Sequence, residues 1–253
     1  MKLLTKAWYQ TMLDSGLGVQ LRADKRAAEF SEAVYQQVWE EKLSEWLELR
    51  REVCDVFGET FDEAGERLHF QESQERELEL LRTRVPGGIL EKVADIRLMA
   101  LGVCTEEVFA EMKAYREWCR KWTEKTQDEA WNMRCSQGLD KAWIGEHSLH
   151  DSVVLSLRRE GEDLLIDFER DEDATWPEIK AVRFRDAEIL KQEQPLEKAW
   201  WLYDEIWRTE EGDYEIHALL WRENEVFELT IRCRETELIW TVEPKAVTEE
   251  THF

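Results

Sequence analysis

The chain has 253 residues, with 34 Lys and Arg against 57 Asp and Glu, so its formal net charge is −23. A surface of this charge repels phosphate groups, so nucleic acid is not expected as a partner. The five Cys are an odd number without a C-x-x-C pair, which indicates neither a disulfide framework nor a zinc ribbon and favours a cytoplasmic location. No stretch of about 18 uncharged apolar residues and no signal-peptide core occur, so we expect neither a membrane partner nor a leader.

Apolar residues in the first part recur at three- and four-residue intervals, which is typical of amphipathic helices. The predicted helices are Thr5–Asp14, Glu29–Cys54, Glu72–Arg84, Ile89–Leu101 and a last one from an N-cap at Thr105 to about Asn132. The helix Ile89–Leu101 is apolar on most of its circumference and is expected to be the most buried. Helices therefore occupy a region that extends to about residue 140.

The pattern changes to alternation after residue 150, which predicts β-strands. The predicted strands are 153–157, 164–168, Ala181–Leu190, Leu202–Arg208, Tyr214–Trp221, Val226–Arg234 and Leu238–Val242. Because no helix separates them, they indicate an antiparallel meander, one face of which is covered by the helical part or by a second sheet. We expect an α+β fold with a helical region 1–140 packed on a sheet region 150–243, followed by a frayed tail 244–253.

Two histidines and an aspartate precede the first strand, at His147, His150 and Asp151. His147 and His150 are weak candidates for metal ligands, and His150-Asp151 is a fragment of the HD phosphohydrolase signature. Such an enzyme needs further His and Asp ligands on neighbouring helices, which this pattern lacks. We therefore favour a structural role in which His150 and Asp151 tie the loop to the first strand, and we expect no metal and no cofactor.

Two charged residues, Asp95 and Arg97, interrupt the apolar helix Ile89–Leu101. An unpaired buried charge would cost several kcal/mol, so each needs a partner or an exposed edge. Residues two apart do not share a helix face, so separate partners are expected. A structural ion pair or a solvated stripe is favoured over a polar pocket.

The second part carries a dense aromatic segment, Trp200–Trp207, in a chain with 13 Trp. Aromatic residues occur at both even and odd positions, so they would point to both faces of a strand. This indicates either a segment packed on both faces, which is favoured, or a binding platform with Asp204 and Glu205 as polar groups. His217 follows on the next predicted strand. It is expected to be a core or rim histidine, although Asp204 would make it a suitable general base.

Several short segments together resemble a bacterial family of uncharacterised proteins, domain of unknown function 4085. They are Leu4–Tyr9, Glu91–Arg97, His150–Ser156, Trp200–Ile206 and Tyr214–His217. The resemblance implies no activity, cofactor or partner, since the family has none assigned. It does imply that a set of polar residues belongs together, namely Asp95, Arg97, His150, Asp151, Asp204, Glu205 and His217.

Three functions remain open from the sequence. The first is a non-catalytic binding protein whose acidity attracts a basic protein or a small ligand. The second is a metal-assisted hydrolase with a site at His147, His150, Asp151 and His217. The third, based on charge and on a loose likeness to toxin immunity factors, is an immunity-like protein or nucleic-acid mimic that binds a basic partner.

Overall fold

The computed structural model of the chain describes residues 1–137, 149–169 and 178–241. The chain divides into two compact units. The first unit comprises Met1–Gln10 and Thr123–Phe253, and the second comprises Thr11–Trp122. Within the described ranges, no helix combines the length and the apolarity that crossing a membrane requires. The predicted tail 244–253 lies outside the described residues.

Helices occupy the first half of the chain, and the first and last of them contain residues of both units. The elements in chain order are α1 (Lys6–Asp14), β1 (Arg22–Ala23), a short 3-10 helix (Lys25–Ala28), α2 (Glu32–Phe57), α3 (Glu63–Arg84), α4 (Gly87–Leu90), α5 (Ile96–Ala100), β2 (Val103–Cys104) and α6 (Glu106–Ser136). Local signals set several of these bounds. The Ser31 hydroxyl accepts a hydrogen bond from the Val34 N–H at the start of α2, and Thr105 caps α6 through the Val108 N–H.

The prediction of one helix over Ile89–Leu101 is wrong, because this segment ends one helix and begins another. Asp95 has extended backbone angles, and its carboxylate accepts a hydrogen bond from the Arg97 N–H, so it is the N-cap of α5. The apolar pattern continues across the break because Ile89 and Leu98 are both buried from separate helices. Burial alone therefore does not distinguish a long helix from two short ones.

Two apolar clusters hold the second unit together. One gathers residues of α3 to α6, including Leu81, Met99 and Met112. The other joins α2, α3 and α5 through Val38, Phe70 and neighbouring residues. Helix α5 supplies Leu98 to the second cluster and Met99 to the first, so this five-residue helix contributes to both.

An antiparallel eight-stranded sheet fills the first unit. Its strands are β3 (Ser152–Glu160), β4 (Asp163–Phe168), β5 (Ile179–Arg185), β6 (Glu188–Gln192), β7 (Trp200–Arg208), β8 (Tyr214–Arg222), β9 (Glu225–Cys233) and β10 (Glu235–Trp240). Helices in the first half of the chain and this sheet in the second half confirm the predicted α+β class.

The strand order is β10-β5-β4-β3-β7-β8-β9-β6, so β3 to β5 and β7 to β9 each form a meander, whereas β6 and β10 leave the sequential order. The predicted strand Ala181–Leu190 divides into β5 and β6 at Asp186, where φ is 48°. Strand β5 pairs with β10, and β6 pairs with β9. The register is the same in both pairs, since Arg185 is opposite Glu235 and Glu188 is opposite Arg232. The sheet therefore closes on itself, and its halves cover each other.

The apolar core of the first unit lies inside this closed sheet. Ile166, Val182 and Phe184 from one half pack in the same cluster as Ile216 and Phe227 from the other. The inner face of each half of the sheet is therefore covered by the opposite half of the same sheet. The outer face buries apolar side chains as well, since Leu165 and Leu219 alternate with core residues and are 3 % and 0 % exposed.

Candidate functional site

A row of buried polar side chains crosses three strands on the outer face of the sheet. Glu205 on β7 is opposite His217 on β8, which is opposite Thr230 on β9. All three are less than 10 % exposed, at 4 %, 8 % and 6 %. The Glu205 carboxylate accepts hydrogen bonds from the backbone N–H groups of Lys2 at 2.9 Å, Leu3 at 2.8 Å and Leu4. It therefore holds the first residues of the chain against this face.

His217 is the histidine of this row. Burial lowers its pKa, with the Met1 amino group acting in the same direction, whereas the carboxylates of Glu205 and Glu215 raise it. The Nδ1 atom lies 3.4 Å from the Thr230 hydroxyl, and Nε2 lies 3.4 Å from a Glu215 oxygen. Glu215 in turn binds Arg232 at 2.7 Å. The arrangement matches the core or rim histidine expected from the sequence.

Asp204 is on the opposite face from Glu205, so the less favoured general-base pair of Asp204 and His217 does not form. Strand alternation places Glu205 beside His217 and Asp204 opposite Ala218. The Asp204 carboxylate instead accepts a hydrogen bond from the Trp201 indole at 3.0 Å and lies 3.3 Å from the Arg134 guanidinium. Trp201 is fully buried, whereas Trp200 is 40 % exposed, so the aromatic segment has side chains on both faces of β7.

His150 and Asp151 connect the loop that precedes β3 with strand β7. The His150 Nδ1 atom is hydrogen-bonded to the Leu202 carbonyl, and the Asp151 N–H donates to the Trp201 carbonyl at 2.9 Å. The His150 ring lies 4.8 Å from the Tyr203 ring, and its Nε2 is 3.7 Å from the Asp151 carboxylate. His147 lies outside the described residues. Over the part of the chain that the structure describes, no group of three or more His, Cys, Asp or Glu could hold a metal ion.

Asp95 and Arg97 belong to the second unit and bind each other, so the expectation of separate partners is wrong. Because Asp95 is a cap rather than a helical residue, its carboxylate meets the guanidinium two residues later, with Nη2 to Oδ2 at 2.9 Å. Arg97 also binds Glu32 at 2.9 Å. Its guanidinium lies over the Tyr35 ring, 4.1 Å from the ring centre.

A cleft between α2 and α3 contains two cavities that the sequence did not reveal. The first, of about 220 Å³, is lined by Tyr35, Trp39, Gln71, Gln74, Glu75, Leu78, Arg97, Ala100 and Leu101. The second, of about 290 Å³, shares Gln74, Ala100 and Leu101 and continues past Trp46 and Glu77. We call the two together the α2–α3 cleft.

Gln74 is in the wall that the two cavities share. Its Oε1 atom is buried, and within the described ranges it has no hydrogen-bond partner. A sequence signal for this position exists, since Gln74 lies four residues after Phe70 and seven before Leu81, both of which are buried. A polar residue in line with an apolar stripe is the pattern that identifies it.

Of the seven polar residues that the sequence grouped, Asp95 and Arg97 are in the second unit, and the other five are in the first. In the first unit, Glu205 and His217 are neighbours, His150 and Asp151 form a second group, and Asp204 faces the other side of β7. Only Arg97 of the seven lines the first cavity.

A family model described as "Protein of unknown function (DUF4085)" matches residues 30–232. No curated protein matches the chain, and no solved structure does.

Proposed function

Because the chain belongs to the DUF4085 family of proteins of unknown function, we propose from its own residues that it is a non-catalytic binding protein whose ligand enters the α2–α3 cleft. The single observation that carries this proposal is Gln74. Its Oε1 is a buried acceptor with no partner in the described part of the chain, and Gln74 lines both cavities.

A buried polar atom left unpaired costs about 1–3 kcal/mol. Native proteins keep few such atoms, and those that persist call for an explanation. Because Oε1 is sealed from solvent, a ligand in the cleft reaches this acceptor only after the Gln74 amide rotates toward it, and the new hydrogen bond then removes this cost. Concave sites with mainly apolar walls and a few convergent polar groups are the usual form of small-molecule sites, and the first cavity has this form, with Tyr35, Trp39 and Leu78 among its walls.

We also propose that the protein acts in the bacterial cytoplasm. The five Cys are free thiols, and four of them are buried. Free thiols of this kind are typical of a reducing compartment. The bacterial origin rests on the family resemblance alone.

A screen of small organic molecules tests the binding proposal. Ligand-observed NMR on the wild-type protein should give hits that the Leu78→Trp variant loses, because the larger ring fills the first cavity. Leu80→Trp is the matched control, since Leu80 is on the same helix, is 38 % exposed and lines neither cavity. Hits that survive Leu78→Trp unchanged, or a screen without hits, would contradict the proposal.

The hydrolase alternative has narrower support. His150 Nε2 is on an exposed edge near the Asp151 carboxylate, but Nδ1 is committed to the Leu202 carbonyl. Elemental analysis of untagged protein decides this alternative, since stoichiometric zinc or manganese that is lost in His150→Ala would favour it. The nucleic-acid-mimic alternative rests on the charge of −23, and retention of a basic partner at high salt would argue against purely charge-based capture.

A further inference from the structure

We propose that the ligand of the α2–α3 cleft is a small organic cation, with an ammonium or guanidinium group on an aromatic or branched apolar body. This inference rests on the proposed function and names the chemical class of the ligand. Three features of the first cavity carry it: a carboxylate without an ion-pair partner, an arginine whose charge is already matched, and two aromatic walls.

The carboxylate is that of Glu75. It accepts a hydrogen bond from the Gln71 amide at 2.9 Å. No Lys, Arg or His lies within ion-pairing distance of it among the described residues, although most other cavity-lining charges are paired. Glu75 is on the exposed side of the cavity, one residue after Gln74. A cation at this position gains an ion pair from Glu75, and it gains an acceptor from Gln74 once that amide has rotated toward the cavity.

Arg97 does not make the cavity attractive to anions. Its guanidinium donates to both oxygens of Asp95 and to Glu32, so two carboxylates surround one positive charge. With Glu75 included, these four groups carry a net charge of 1 − 3 = −2. An incoming carboxylate or phosphate would have to compete with Asp95 and Glu32 for the same guanidinium.

Tyr35 and Trp39, one helical turn apart on α2, form the aromatic walls of the cavity. Cations bind favourably over the faces of such rings, and Trp is the best of the three aromatic side chains for this. The Tyr35 ring already accepts the Arg97 guanidinium at 4.1 Å. The same walls give an apolar body a surface to pack on.

The volume limits the size of the ligand. At about 220 Å³ the first cavity is smaller than the roughly 300–1,000 Å³ of sites for drug-sized molecules. An apolar cavity of about 150 Å³ is enough for benzene. The cavity therefore suits one ring or a branched chain together with one cationic group, and the net charge of −23 attracts such a ligand from solution.

Three probes of one shape test the inference: phenethylammonium as the cation, 3-phenylpropionate as the anion and 3-phenylpropionamide as the neutral compound. We expect phenethylammonium to bind the full chain most tightly, by NMR titration at millimolar concentration. Glu75→Gln should weaken it by about threefold to fivefold, the effect of one partly exposed ion pair. Glu79→Gln, at an exposed position of the same helix outside both cavities, should leave it unchanged.

The outcomes separate the two proposals. Tighter binding of 3-phenylpropionate or the amide, lost in Leu78→Trp, would overturn the cation inference and leave the cleft as a binding site. Equal binding of phenethylammonium to wild type and Glu75→Gln would also overturn it. If none of the three probes binds, the cation inference falls, while the fragment screen decides the proposed function on its own.

Discussion

The carboxylate of Glu205 lies directly across from the imidazole of His217, and both side chains are buried between the sheet and the first residues of the chain. Glu205 accepts hydrogen bonds from three consecutive backbone N–H groups, and from the Trp207 indole at 2.9 Å. One carboxylate thus satisfies four donors. Its stabilising role follows from this geometry without any ligand.

Replacing Glu205 with Gln should destabilise the protein by about 2–4 kcal/mol. The neutral amide keeps one acceptor but turns N–H donors toward one pair of existing donors, either Leu3 and Leu4 or Lys2 and Trp207. Charge-assisted hydrogen bonds are also roughly twice as strong as neutral ones. Urea unfolding followed by tryptophan fluorescence measures the loss. Hydrogen exchange of the Lys2 to Leu4 amides should accelerate in the same variant.

Glu197→Gln is the matched control, because Glu197 is an exposed carboxylate in the same unit. It should change the free energy of unfolding by less than about 0.5 kcal/mol. A Glu205→Gln variant as stable as this control would show that the first residues are held by other contacts.

Acidification should destabilise the wild-type protein through His217. Burial lowers the pKa of His217 below the ordinary value of 6.5, so the unfolded chain binds a proton at higher pH than the folded chain does. The free energy of unfolding therefore begins to fall as the pH drops below about 6.5 and continues to fall until the folded imidazole also protonates. His217→Gln should remove this part of the slope, which urea midpoints between pH 7.5 and 5 would reveal, at about half-unit steps.

His69→Gln is the control for this experiment, since the His69 side chain is exposed on α3. Subtracting each variant from wild type cancels the carboxylates that both share. A wild-type profile parallel to that of His217→Gln across the whole range would contradict the buried, neutral state of His217.

The sequence predicted the class of the fold from two periodicities, because side-chain burial imposes a period of 3.6 on helices and of 2 on strands. Closure of the sheet was not predictable in the same way. The apolar alternation changes phase at Asp186, from Val182 and Phe184 to Ala187 and Ile189, and the chain turns there from one half of the sheet to the other. Alternation shows which side chains are buried and does not show which strands are neighbours.

The candidate site was predicted least well, for a physical reason. Conspicuous motifs pointed to His, Asp, Glu and Trp side chains, and the structure shows several of them in structural contacts, such as Asp95 at a helix cap and Glu205 on backbone amides. The cleft depends on how two helices approach each other, which is set by tertiary packing. Gln74 can be identified from the sequence only once the buried residues of α3 are known, because it then stands out as a polar residue in line with them.

Asp95→Ala should destabilise the second unit by about 2–3 kcal/mol, because the change removes a helix cap and one of the two carboxylates bound to Arg97. Asp95→Asn should cost less, since an amide oxygen still caps the Arg97 N–H. Urea unfolding followed by circular dichroism at 222 nm, a wavelength at which helices absorb, measures both variants. Asp55→Ala, at an exposed position of α2, controls for the loss of one negative charge, and an Asp95→Ala loss equal to it would argue against the cap.

Two glycines should respond to alanine with opposite signs. Gly58 ends α2 with φ of 69°, in the left-handed region that disfavours side chains, although nothing lies within 4 Å of an added Cβ. Gly58→Ala should therefore cost about 1 kcal/mol through the backbone alone. Gly88 is in α4 with the same open space and no left-handed conformation, so Gly88→Ala should stabilise by about 0.5–1 kcal/mol.

The two glycine variants share one measurement, the urea midpoint at constant slope, and each serves as the control for the other. Steric contact cannot produce the difference in sign, since both positions are open. Gly58→Asn should recover part of the Gly58→Ala loss, because Asn tolerates the left-handed conformation better than Ala. A Gly58→Ala variant as stable as Gly88→Ala would show that α2 does not end with a left-handed residue in solution.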